Sequence, residues 1–165
     1  MSGQTSSELA WALGPGRSPA LGSGRSEIFV TRLPDPRYML DTDTVSFALR
    51  GKGRVATHLL KHRPSEICIS SITLAELRFG AEARRSRKLH GLIVTFVDAV
   101  AVVPFDQRAA DRFAAVAASL ARRGEPIGTF DTLIAAHALS LGLTFVTNNL
   151  KHFERVAGLK TENWI

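Results

Sequence analysis

From residue 37 to the C-terminus, short apolar runs of strand length alternate with longer segments of helical period. This alternation restricts the chain more than any other feature. Apolar runs read as strands at 38–40, 66–70, 99–103 and 143–147, with a final short one at 159–164. Helical spacing falls between them, at 44–49, 54–62, 73–83, 89–98, 106–123 and 131–141. Strands separated by helices do not pair as hairpins, so a parallel sheet covered on both faces follows. The expected class is α/β, a three-layer sandwich with a central, mainly parallel sheet. The punctuation agrees: Asp106 suits an N-cap, and Gly124 and Gly142 suit helix ends.

Residues 1–36 read differently. They are rich in Gly, Ser and Pro and show no sustained period, with at most a short strand at 28–31. The expectation is a poorly ordered or non-native upstream extension of the reading frame, followed by one domain over 37–165. The lone Cys68 lies in the apolar run Ile67-Cys68-Ile69 and reads as a buried filler in a reducing compartment. No apolar stretch reaches the roughly 18 residues of a membrane span. The patch at 9–13 is too short for a signal peptide and has no basic residue before it. The expected location is the cytoplasm, with no membrane partner.

The net charge is +6, and it is concentrated. Between Arg50 and His90 stand ten Lys/Arg against three acids (Glu66, Glu76, Glu82), a local net of +7. Such a block suits a nucleic-acid backbone, because phosphates release counterions when Lys and Arg neutralise them. A solvated basic surface and an acidic protein segment remain as alternatives.

In a parallel sheet, function collects at the carboxyl ends of the strands. Three acids fall there. Asp41 follows the first strand, Glu76 lies in the first turn of the helix after the second, and Asp131 opens the apolar helix before the last. Asn149 follows that last strand in Val146-Thr147-Asn148-Asn149. Each acid has a plainer reading. Thr73-Leu74-Ala75-Glu76 matches a capping box, Asp131 suits a helix dipole, and Asp41 suits a cap. Convergence of all three would be another matter, since two carboxylates 5 Å apart repel by roughly 3 kcal/mol at an effective dielectric near 20. A bound cation relieves this, and an all-oxygen site suits Mg²⁺, with Mn²⁺ as substitute. His58 and His62 are spaced i, i+4 without a third ligand, so they read as helix surface and not as a zinc site. A divalent ion among acids beside a basic block points to in-line phosphodiester hydrolysis.

Four segments, in order, resemble the PIN-domain ribonucleases of the VapC type. They are Tyr38-Met39-Leu40-Asp41-Thr42-Asp43, then Ile69-Ser70-Ser71-Ile72-Thr73-Leu74-Ala75-Glu76-Leu77 with Gly80. Ile127 to Ala138 with Gly128-Thr129-Phe130-Asp131 is the third, and Thr147-Asn148-Asn149 with His152-Phe153 and Glu162-Asn163-Trp164 the fourth. The resemblance covers about 37–165. It implies a PIN-like fold and a Mg²⁺-dependent endoribonuclease, the toxin of a toxin–antitoxin pair. It carries Asp41, Glu76 and Asp131 over as catalytic metal-site acids. Asn149 stands where many such domains have a fourth Asp, which implies a supporting role. Asp43 stands where the family usually has Asn; it reads first as a helix cap, with an extra carboxylate that tightens the metal site as the alternative. The resemblance also implies a homodimer, an RNA substrate, and a cognate antitoxin that blocks the site; Arg84-Arg85-Ser86-Arg87 could meet either the antitoxin or RNA.

Two rivals stay open from the residues. Asp41-Thr42-Asp43-Thr44-Val45 also fits the nucleophile loop of a haloacid-dehalogenase-like phosphatase, with Asp41 as nucleophile and Asp43 as general acid. That reading gives Glu76 and the Thr147-Asn148-Asn149 tail no role. The other rival is a non-catalytic PIN-fold module that binds RNA or protein.

Overall fold

The computed structural model describes residues 35–165, so the readings made for residues 1–34, including the strand at 28–31, lie outside the described residues. Strand β1 is Tyr38–Leu40, β2 Ile67–Ser70, β3 Ala101–Val103, β4 Thr144–Val146 and β5 Thr161–Glu162. They form one sheet in the order β3-β2-β1-β4-β5, every pair parallel. Two-residue periodicity sends alternate side chains to opposite faces. Leu40, Ile67, Ile69 and Val146 join one apolar core, and Met39, Cys68 and Phe145 join another. Helices α1 (Thr42–Leu49), α2 (Val55–Leu59), α3 (Ser71–Ala83) and α4 (Arg87–Ala99) supply the first core. Helices α5 (Gln107–Arg122), α6 (Thr129–Ser140) and α7 (Leu150–Phe153) supply the second. The three-layer α/β sandwich is therefore the one expected, with a wholly parallel sheet.

Successive crossovers step from β1 through β2 to β3, and the chain then returns to place β4 on the other side of β1. The direction of winding reverses between β1 and β4, and a crevice opens there at the strands' carboxyl ends. Asp41 is the first residue past β1.

Several local expectations need correction. Helix α3 begins two residues earlier than its pattern implied, because the Ser70 hydroxyl accepts from the Ile72 N–H at 3.1 Å and caps it. Thr73 is then already helical and buried, so Thr73 and Glu76 form no capping box. Glu76 lies beyond the first turn. Helix α1 likewise starts at Thr42, capped by Asp41 through the Thr42 N–H at 2.7 Å. The cap is Asp41 and not Asp43, which sits exposed in the first turn. Asp106 caps α5 as expected, accepting from the Ala109 N–H at 2.9 Å. Residues 64–66 form a 3-10 turn ahead of β2, and the 54–62 helix is shortened to Val55–Leu59. Among the described residues no helix is long and apolar enough to cross a membrane.

His58 and His62 are not an open helix surface. Both stack on Trp164, at centroid distances of 5.7 and 5.0 Å, and Tyr38 packs on the same indole at 5.1 Å. Trp164 is buried, and its Nε1–H donates to Glu162 Oε2 at 2.9 Å. This aromatic stack ties the C-terminal segment to β1 and α2. Trp164→Ala should lower unfolding stability by about 3 kcal/mol, the usual range for removing a buried aromatic. Denaturant melts of the two chains check it. Cys68 is fully buried, and burial pushes its thiol up to about 12, so it is inert filler as expected.

Candidate active site

Asp41, at the end of β1, is 6% exposed and doubly held. Its Oδ1 accepts from the Thr42 N–H, and its Oδ2 accepts from the Thr147 hydroxyl at 2.8 Å. Thr147 follows β4, the strand beside β1, so sheet pairing brings this partner across 106 residues. Glu76 reaches the same place from α3: the Thr42 hydroxyl donates to its Oε2 at 2.6 Å. Thr42 thus serves Asp41 with its N–H and Glu76 with its hydroxyl. Asp131, half-buried in the first turn of α6, contacts His152 Nε2 through Oδ2 at 3.0 Å. His152 itself lies edge-on to Phe153, centroids 5.2 Å apart.

The electrostatics tie these acids into one cluster. Burial pushes the Asp41 carboxyl up to about 7; the Thr147 and Thr42 hydrogen bonds oppose this, and the negative charges of Asp43 and Asp131 add to it. Glu76 is also raised, by burial first, against its Thr42 hydrogen bond and with help from Asp131 and Asp43. Asp41 and Glu76 therefore each feel both Asp43 and Asp131. Yet among the described residues no group of three or more His, Cys, Asp or Glu side chains is gathered closely enough to hold a metal ion. The hydrogen bonds supply the reason. Asp41 is turned onto the Thr42 N–H and the Thr147 hydroxyl, Glu76 onto the Thr42 hydroxyl and Asp131 onto His152, which lowers mutual repulsion. The donor set remains oxygen-rich and suits a hard divalent cation, with the His152 ring nitrogen against Asp131.

Asn149 is placed differently. It is exposed, and its backbone N–H donates to Thr147 Oγ1 at 3.1 Å. It touches the cluster through the backbone, by way of Thr147. Three contributors carried no role in the sequence reading: Thr42, Thr147 and His152. All three lie inside the quoted motifs, but a hydroxyl or imidazole beside an acid gives no periodic signal. Asp43, assigned as a cap, instead lines a groove of about 670 Å³ together with Glu76, Phe79 and Phe130.

Gly128 sets the position of Asp131. A Cβ built there would stand 3.0 Å from Asp131 Oδ2, tight enough that the carboxylate must give by a few tenths of an ångström. The Gly128 carbonyl meanwhile accepts from the Thr132 N–H and hydroxyl at 2.8 and 2.9 Å, so the backbone is fixed. Gly128→Ala should nudge the carboxylate and slow RNA cleavage by about tenfold, less than the roughly 10²-fold of a 1 Å misplacement. Steady-state cleavage rates beside a thermal melt check it; the melt should move little.

The PIN domain model matches residues 38–159. The chain belongs to the PIN-domain family. Within it, this PIN domain is 41% identical over 129 residues to the tRNA(fMet)-specific endonuclease VapC of Shigella flexneri, covering 78% of this chain and 98% of the relative. It is 37% identical to ribonuclease VapC2 of Haemophilus influenzae, again over 78% of this chain and 98% of the relative. The DNA-bound VapBC complex from Salmonella typhimurium superposes with a TM-score of 0.71 at 39% identity, covering 79% of this chain and 99% of that one. VapBC2 from Rickettsia felis, bound to a promoter DNA fragment, gives 0.70 at 31%, covering 78% and 98%. The PIN domain is thus an endoribonuclease of the VapC toxin type, as the four motifs implied, and the phosphatase reading of Asp41 and Asp43 is set aside.

Proposed function

We propose that residues 37–165 cut transfer RNA, initiator tRNA first among the candidates, with Mg²⁺ or Mn²⁺ held by Asp41, Glu76 and Asp131. The observation that carries this is the Asp41–Thr42–Glu76 linkage, in which both carboxyl groups also feel the charges of Asp131 and Asp43. When bound, the cation supplies an activated water and charge neutralisation at the phosphate. The chain's own residues do the rest. Thr147 and the Thr42 N–H orient Asp41, the Thr42 hydroxyl orients Glu76, and His152 orients Asp131. Asn149 acts in support, fixing the Thr147 hydroxyl through its N–H. Arg50 and Arg84, along the groove, hold phosphates outside the cleaved bond. The substrate choice is supported by the Shigella and Salmonella relatives, both tRNA(fMet)-specific endonucleases.

A VapB-type antitoxin is the proposed inhibitor, on the precedent of the Salmonella and Rickettsia complexes, and the place of action is the cytoplasm. Mapping RNA 5′ ends in cells after brief induction tests the reading. New ends should concentrate in one tRNA and vanish with Asp41→Ala. Ends spread over unrelated RNAs would overturn the substrate, and ends surviving Asp41→Ala would overturn the site. RNA retained without any cleavage would favour the non-catalytic module.

A further inference from the structure

Two phenylalanines stand in water beside the acids. Phe79 is 73% exposed and Phe130 is 56% exposed. Phe79 lies on α3 three residues after Glu76, on the same helix face. Phe130 immediately precedes Asp131 in the first turn of α6. Both rings line the groove that also holds Asp43, Glu76, Arg50 and Arg84. A second groove of about 490 Å³ shares Arg50 and Arg84 with the first and adds Lys88. The two adjoin through Arg50 and Arg84 as one channel: the acids and both rings line the first part, and the second is cationic.

We propose that this channel takes a single-stranded RNA segment, and that Phe79 and Phe130 stack the unpaired bases next to the cleaved phosphodiester. The assignment rests on the ribonuclease reading above and deepens it. Three features of the channel fit one ligand. Exposed aromatic rings offer stacking faces that only unpaired bases can use, because bases inside a duplex are already stacked. Arg50, Arg84 and Lys88 complement a run of phosphates. Asp43 and Glu76 repel an acidic peptide at the end where the rings stand, whereas a phosphodiester arriving with a divalent cation is accepted there. The aromatics therefore select loops over stems. Apolar bulk alone would not do this, since a leucine buries similar area without a π-face.

The test uses the full chain carrying Asp41→Asn, so that RNA is bound and not cut. A fluorescein-labelled single-stranded RNA, and the same strand annealed to its complement, are titrated by fluorescence anisotropy. Phe79→Leu and Phe130→Leu should each weaken single-strand binding by about tenfold, in the range of one lost base–aromatic stack. Phe79→Tyr should restore it, and the duplex should bind more weakly and be indifferent to all three changes. Leucine variants that hold the single strand as tightly as the parent would overturn the proposal. So would a duplex bound and weakened to the same degree, or leucine variants that lose only a poly-glutamate peptide. The ribonuclease reading fails separately, if the chain with every residue intact cuts no RNA in Mg²⁺. Both rings are exposed, so these variants should keep the parent's melting temperature.

Discussion

Asp41→Asn should abolish RNA cleavage, by about 10³-fold or more, and at the same time raise the melting temperature above neutral pH. The first effect follows from removing a charge that no neighbour can replace at the point where the phosphate reacts. The second follows from burial. In the folded chain the Asp41 carboxyl titrates at about 7, against 3.8 for the free side chain. The folded state therefore holds this proton more tightly than the unfolded state does. Its contribution is most favourable at pH below 3.8, shrinks as pH rises towards 7, and becomes a constant penalty above 7. At about 1.4 kcal/mol per pK unit, that penalty is about 4 kcal/mol as an upper figure. Asparagine carries no charge to desolvate, and it keeps both hydrogen bonds. Its Oδ1 can accept from the Thr42 N–H, while its amide can donate to the Thr147 oxygen. Thermal melts of parent and variant across pH should show a gap that is wide above pH 7 and closes as pH falls towards 4. Equal melting temperatures above neutrality would show that Asp41 bears no strain.

Chelation should produce the second large effect. EDTA should stop cleavage outright and Mg²⁺ should restore it. Mg²⁺ should also raise the parent's melting temperature, by the linkage expected of any ligand that binds only the folded state, about 2.7 kcal/mol at a hundredfold excess over Kd. Asp41→Asn should lose most of that rise. Because cation and proton compete for Asp41 and Glu76, added Mg²⁺ should move the rising limb of the pH–rate profile to lower pH. Cleavage undiminished in EDTA would remove the cation from the chemistry. A melting temperature blind to Mg²⁺ would place the ion on the RNA and not on these acids.

The architecture could be read from the residues because it is written in local signals. Each core strand is an apolar run closed by a polar residue or, after Val103, by Pro104, and the Asp106 cap and the helix ends at Gly124 and Gly142 obey backbone rules that need no distant partner. The acids could be singled out for the same reason, since strand ends are visible in one dimension. Errors arose where two local rules competed. Thr73 and Glu76 have capping-box spacing, but Ser70 takes the capping position because β2 ends there and its hydroxyl reaches Ile72. Asp43 was read as a cap for a helix that Asp41 caps instead. What stayed hidden depends on long-range packing. The stacking of His58 and His62 on Trp164 joins segments a hundred residues apart. The pairing of Asp131 with His152, and the groove between Phe79 and Phe130, exist only once the layers are assembled.

Two of the three catalytic acids are completed by something near the end of the chain. Asp41 waits for Thr147, and Asp131 waits for His152. Strand β1 gains its β4 neighbour only after most of the polypeptide exists. A ribosome that is still making this protein therefore carries an unfinished blade: the early acids emerge first, without the partners that aim them. Asp41 and Asp131 are aimed only once residues 144–152 have joined the sheet.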